Sequence, residues 1–420
     1  MKPFSLLFIL CILISCSKSE VLENENPNSD SESTLEDGNT DPAPIIATPC
    51  VDGMAGIFPC SGYDLLANIS LATFESESGS DSWGWTDPET GKEIALMGLY
   101  EGTAFVDISD PENPIILGKL LAASVESQWR DIKVFNDHAF IVSEAPGHGL
   151  QVFDLTRLRN ATQNEIFTAD VHLTDFGNAH NIAINESTGF AYVVGNNDLY
   201  KGGPIFIDIN DPKNPVLAGG YADASYTHDL QAVIYQGPDT KHQGKELLFA
   251  SNSDGGANNQ LVVLDVTDKS NPQRIKNITY ANGGYTHQAW LTEDHAYILL
   301  GDELDEYKYG SPTQTRVFDI RDIENAILFH DYFGPTNAID HNGYVNGTVF
   351  YLANYSAGFR AIDLSNLAEK EMSETGFFDT YPNDDATDFT GVWNVYPYFK
   401  SGVILISDIN SGLFLVKASN

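Results

Sequence analysis

Basic side chains are scarce in this chain: 22 Lys and Arg stand against 59 Asp and Glu in 420 residues, a formal net charge of −37. A field of that sign repels phosphate backbones, and the few cations are not clustered, so no nucleic acid partner is expected. Cysteine is rarer still, at four residues, and none recurs in a repeat, which excludes a disulfide-dense scaffold and a CxxC metal module. Long apolar runs are missing as well. The longest, Phe4–Ser15, is about a dozen residues, too short to span a bilayer. No nucleophile elbow, HExxH, P-loop or dinucleotide fingerprint occurs, so the enzyme classes those motifs serve drop out. What remains is ample apolar material, 42% of the chain, enough for a large core.

The N-terminus carries an address. Met1-Lys2 followed by Phe4–Ser15 has the basic flank and short apolar core of a signal peptide. Leu13-Ile14-Ser15-Cys16 resembles a bacterial lipoprotein box, which implies cleavage before Cys16 and acylation of its thiol and new amine. Several acyl chains anchor durably where one does not. Ser17 after the cysteine resembles outer-membrane retention, so an exported outer-membrane lipoprotein is expected, facing periplasm or cell surface. Residues 16–49 are rich in Asn, Ser, Glu, Asp, Pro and Thr and bury too little apolar surface to offset chain entropy, which predicts a disordered acidic tether behind the 1–15 signal. Cys50 and Cys60 flank a short lead-in, 50–62, and a single structural disulfide is expected there, worth about 2–3 kcal/mol.

From residue 63 to 420 one unit recurs: a polar pair opening a strand, a second strand ending in a polar residue, and a third strand like Gly149–Leu155. The openers are Trp83-Gly84, Arg130-Asp131, His180-Asn181, His228-Asp229, His287-Gln288, His341-Asn342 and Trp393-Asn394. Their spacing of roughly 45 to 60 residues is that of propeller blades, and predicts an all-β, seven-bladed β-propeller. The last unit has only three strands, so Tyr63–Leu71 is expected to supply its fourth and close the ring. Asp110-Pro111, Asp211-Pro212 and the related Asp268-Lys269 each begin a turn between third and fourth strands, a structural use of Asp and Pro rather than calcium ligation.

Gly102–Ile108, Gly149–Leu155 and Gln260–Val266 resemble LVIVD repeats. Trp129–Val134, Ser143–Gly149 and Pro59-Cys60 with Asp64-Leu65-Leu66 resemble the bacterial choice-of-anchor B family. That resemblance runs from about residue 50 to the end; it implies a secreted propeller, here lipid-anchored, and no assigned activity.

In a propeller the openers and second-strand ends crowd one end of the central channel. Four of the ten histidines, His180, His228, His287 and His341, stand at one equivalent position in consecutive blades. Two readings follow: they converge on a divalent metal (Zn, Mn or Ca), or they line a wet funnel and bond the next blade's backbone. Trp83, Trp129, Asp131, Glu144, Asp302, Trp393 and Asp408 are the expected binding residues of that funnel, with an extracellular glycan or protein as ligand and the chain a monomer. The alternative is a lyase or hydrolase acting on an extracellular polysaccharide. It would use His228 or His287 as base, Tyr226 or Tyr285 as acid and Arg130 as carboxylate clamp.

Overall fold

A computed structural model describes residues 47–253 and 258–419. The expected signal peptide, Cys16 and nearly all of the expected tether lie outside these described residues. Seven antiparallel sheets follow one another along the chain, each with its first strand innermost. The inner strands of blades 1 to 7 are Gly79–Thr86, Arg130–Phe135, Asn181–Asn185, Thr227–Ile234, Thr286–Leu291, Gly343–Asn346 and Val392–Tyr396. As expected, Tyr63–Ile69 pairs with Gly412–Ala418 as the outermost strand of blade 7, so the ring is shut by both ends of the propeller. Among the described residues no helix is long and apolar enough to cross a membrane.

The third strands explain the repeat's sequence. Their alternating apolar residues pack between neighbouring blades, as Phe105 of blade 1 stacks on Phe153 of blade 2 with centroids 4.7 Å apart. In six of the seven blades an Asp ends the third strand and turns the chain. Asp107, Asp154, Asp208, Asp265, Asp319 and Asp363 each accept a hydrogen bond from the backbone N–H two residues on, at 3.0–3.1 Å. The next turn repeats the device, with Asn113, Asn214 and Asn271 N–H donating to the carbonyls of Asp110, Asp211 and Asp268.

Two excursions add to the sheets. Glu165–Phe167, from the long connection in blade 2, runs parallel to the outer strand of blade 1. The lead-in strands Met54–Ala55 and Phe58–Ser61 extend blade 6, where Cys60 sits opposite Phe378. Cys50 and Cys60 are disulfide-bonded. Ahead of that bridge, the N–H and C=O of Thr48 pair with Leu65.

A bulge at the strand openings governs the channel. In blades 4, 5 and 7 the register skips one residue between Thr227 and Asp229, Thr286 and Gln288, and Val392 and Asn394. In blade 3 both His180 and Asn181 lie against Val194, and in blade 6 both His341 and Asn342 bond Ala353. A bulge breaks the in–out alternation, so two consecutive residues turn toward the axis. Blade 1 has its bulge between Gly79 and Ser82, which makes Ser80-Asp81, and not Trp83-Gly84, the equivalent of the other openers. Blade 2 has none: Arg130 pairs with Ser143 and Asp131 with Val142 in regular register.

Candidate functional site

Among the described residues, one cavity lies at each end of the channel. At the end where the inner strands begin, a cavity of about 420 Å³ is lined by Gln128, Trp129, His180, His228, His287, Glu303, His341, Tyr355, Phe389, Trp393 and Ile409. Its floor is an arc of four imidazoles. Successive ring centroids, from His180 through His228 and His287 to His341, stand 4.2, 4.4 and 4.2 Å apart, each tilted 42–44° to the next.

Backbone bonds set the tautomers. Nδ1 of His228 donates to the carbonyl of His287 at 3.2 Å, and Nδ1 of His341 donates to that of Trp393 at 2.6 Å. A carbonyl only accepts, so these nitrogens hold the proton and leave Nε2 with its lone pair, the form that binds metals. Burial pushes His228 and His287 well below the usual histidine range and His341 down to about 3, so all three are neutral. His180 differs. Burial opposes its charged form, yet the Glu144 carboxylate at 2.7 Å, helped by Glu303 and Asp229, holds its pKa above the usual value.

Glu303 completes the cluster. Its Oε1 lies 3.9 Å from His287 Nε2 and 3.7 Å from His341 Nε2, and accepts a hydrogen bond from the Tyr355 hydroxyl at 3.0 Å. Burial raises it to about 7 against the Tyr355 bond. His287, Glu303 and His341 offer ligand atoms within 4.8 Å of one another, so this group can hold a metal. Of the two expectations, bonding to the next blade's backbone is seen for His228 and His341, while for the metal the structure offers a group of side chains that could hold one.

The expected site residues divide between places. Trp129 and Trp393 line this cavity, and Glu144 reaches it through His180. Tyr285 packs edge-on to His228 at 5.2 Å, and its hydroxyl is hydrogen-bonded with Tyr226, whose pKa burial raises to about 12. Asp302 and Asp408 do not line it. Buried Asp302 accepts from the N–H groups of Gly284 and Tyr285, and Asp408 from those of Asn410 and Ser411, so both brace loops. Arg130 does not line it either. Without a bulge it turns between blades 1 and 2, where Nε donates to the Leu99 carbonyl at 3.3 Å and Nη1 to His148 Nε2 at 3.1 Å. Burial and that guanidinium push His148 down to about 4.

Trp83 and Asp131 belong to the other cavity, about 490 Å³, at the end where the inner strands finish. Trp83, Trp290, Tyr344, Tyr396 and Tyr398 wall it, and Lys133 lies 4.5 Å from the Trp83 ring centre. Lys133 also pairs with Asp131 and, at 3.4 Å, with Asp81. Asp81, Asp131, Asn181, Asp229, Gln288, Asn342 and Asn394 form one ring of carboxylates and amides around the channel. Several stitch one blade to the next: Asp81 accepts from Ile132 N–H, Asp131 from Ile182 N–H and Gln288 from Gly343 N–H, while Asn394 donates to the Ser82 carbonyl. Sequence reasoning missed Asp81 as a member of this layer because the blade 1 bulge hid the alignment, and missed Lys133 because its partners Asp81 and Asp131 meet only across blades 1 and 2.

Known proteins agree with this fold. The family model described as the LVIVD repeat matches residues 176–223 and 255–279. Among curated proteins nothing matches the chain. The crystal structure of a protein from Lactobacillus plantarum is similar at 13% identity and a TM-score of 0.52, covering 79% of this chain and 89% of its own. The β-propeller domain of Myceliophteria thermophila Cps50 (Swd1) is similar at 10% identity and a TM-score of 0.51, covering 81% and 98%. At such identities the likeness is one of fold alone.

Proposed function

We propose that this protein, a seven-bladed β-propeller carrying LVIVD repeats, is an exported outer-membrane lipoprotein, anchored through Cys16. In this reading it binds an extracellular glycan or protein at a metal-bearing funnel. The supporting observation is the four-imidazole arc with Glu303 set 3.7–3.9 Å from two of its Nε2 atoms. Neutral imidazoles with one carboxylate suit Zn or Mn better than Ca, which prefers an all-oxygen shell. Such an ion offers open positions to a ligand oxygen, and the rings of Trp129 and Trp393 supply flat apolar faces beside it. Glu144 and Glu303 keep the mouth acidic, which favours neutral or cationic ligands.

Elemental analysis of protein purified without chelator tests this first, with near-stoichiometric Zn or Mn expected. A glycan array and pull-down then follow ligand capture, which should fall in the Trp129→Ala and His287→Ala variants. A folded, metal-free protein that takes up no added Zn or Mn would sink the reading.

One observation favours a second reading. Glu303, raised to about 7 beside neutral histidines, has the poise of a general acid–base, which fits metal-assisted cleavage of a polysaccharide. The lyase version is weakened because Arg130 is spent on Leu99 and His148 and does not serve as its uronate clamp. Incubation with neutral and uronate polymers separates the versions: new reducing ends alone mean hydrolysis, while ultraviolet absorbance from unsaturated ends means elimination.

A further inference from the structure

Behind the funnel, between blades 5 and 6, lies a second cluster with no imidazole in it. Asp305, Glu306 and Asp340 each bring an oxygen within 4.8 Å of the others. Asp305 and Glu306 open the short helix Asp305–Tyr309, which follows the second strand of blade 5, and Asp340 directly precedes His341 of blade 6. All three are at most 2% exposed. Among the described residues neither oxygen of Asp340 has a hydrogen-bond partner, nor does Oε2 of Glu306. Among the described residues the Glu306 carboxylate accepts from the Gln314 N–H, at 3.0 Å, and its other close neighbour is the Asp305 carboxyl. Arg316 stands 2.6 Å from Asp305, in ionic contact but without the alignment of a hydrogen bond. Even the backbone makes room: a Cβ on Gly301 would come within 2.9 Å of Asp340 Oδ2.

Buried carboxylates without hydrogen bonds are costly unless a cation meets them. Three carboxylates beside one guanidinium leave an excess of two negative charges, the charge one divalent ion cancels. The donors are all oxygen, which selects Ca²⁺ or Mg²⁺ over Zn²⁺. Mg²⁺ demands near-ideal octahedral geometry and keeps several waters, whereas Ca²⁺ accepts irregular cages of protein oxygens, so an enclosed site of this kind suits the larger ion. We infer that Asp305, Glu306 and Asp340 hold a structural Ca²⁺ ion between blades 5 and 6. Glu303 lies two residues before Asp305 and His341 one after Asp340, so the ion joins the two segments that bring these groups together. The inference does not depend on the funnel's own metal or ligand.

Calcium titration of the EDTA-stripped full-length protein tests it. One saturable site per chain is expected, with the unfolding midpoint raised by about 3 °C at a hundredfold excess over Kd. The response should vanish in Asp340→Asn and in Glu306→Gln, either of which serves if the other does not fold. It should persist in His287→Ala, where zinc uptake at the funnel is lost, so the two sites fail separately. A midpoint indifferent to calcium, with Asp340→Asn at least as stable as the parent, would mean protons rather than an ion neutralise the cluster. A calcium response unchanged in both carboxylate variants would also overturn the assignment.

Discussion

The two ends of the channel are built from the same seven strands, yet they carry different chemistry. Where the strands begin, a bulge turns successive residues inward, and His228, His287 and His341 make a neutral, ligand-ready floor beside His180, whose charged form Glu144 favours. Where they finish, regular alternation returns and the wall is aromatic, with the Lys133–Asp131 pair buried beneath it. Arg130 shows how much the bulge matters. It occupies the histidines' position in a blade without a bulge, and it faces away from the channel. Position in the repeat names a residue's neighbours; local register decides which way it looks.

Breaking the charge pair at the aromatic end should have the largest effect. Lys133→Met leaves Asp131 and Asp81 buried without their cation, and a loss of about 3–5 kcal/mol in urea unfolding is expected. A loss under about 1 kcal/mol would show that this end does not rely on the pair. Zinc uptake at the other end should survive in the folded fraction.

The converse experiment removes two imidazoles. The double variant His287→Ala, His341→Ala should weaken Zn or Mn binding at least about a hundredfold, close to 2.7 kcal/mol. Quenching of Trp fluorescence by a ligand seated at the aromatic end should not change. Equal losses at both ends would mean the cavities act as one.

A third test uses acid on metal-free protein. His341 has its pKa near 3 when folded and about 6.5 when unfolded, so between these values the unfolded chain binds more protons. Stability from this group is therefore complete above pH 6.5 and is lost as pH falls. His341→Gln should shrink the stability difference between pH 6.5 and pH 5 by about 2 kcal/mol relative to the parent. The raised carboxylates Glu303 and Asp229 act in the opposite sense, so only the difference between variants is diagnostic. An unaltered pH profile would place His341 in contact with solvent.

The smallest effect is reserved for Tyr355→Phe. Deleting the hydroxyl that donates to Glu303 at 3.0 Å should alter metal affinity by less than about tenfold, since one such bond is worth about 0.5–1.5 kcal/mol net. A larger change would make Tyr355 part of the ligand set.

Much of the fold was legible in the chain. Repetition of a polar pair opening a strand announced seven blades, and the incomplete seventh pointed to Tyr63–Leu71 as the closing strand, where Tyr63–Ile69 is found paired. The histidines were legible because they recur in phase. Glu303 and Asp340 were harder to assign, since they come from loops whose sequence has no period. Trp83 misled for a related reason. Its resemblance to an opener was stronger than that of Ser80, and only pairing across to Leu99 and Met97 reveals the skipped residue.

By itself the sequence determined the number of blades, the way the ring closes, and which residues recur at one level of the channel, because strand alternation and turn chemistry act over a few neighbouring residues. The tertiary structure alone decided which of those residues face a common cavity. It also brought Glu303 against His287 and His341, and Asp305 and Glu306 against Asp340. The reason is physical: those contacts depend on bulges and on the angle between blades, which are set by packing across the whole ring and not by local sequence.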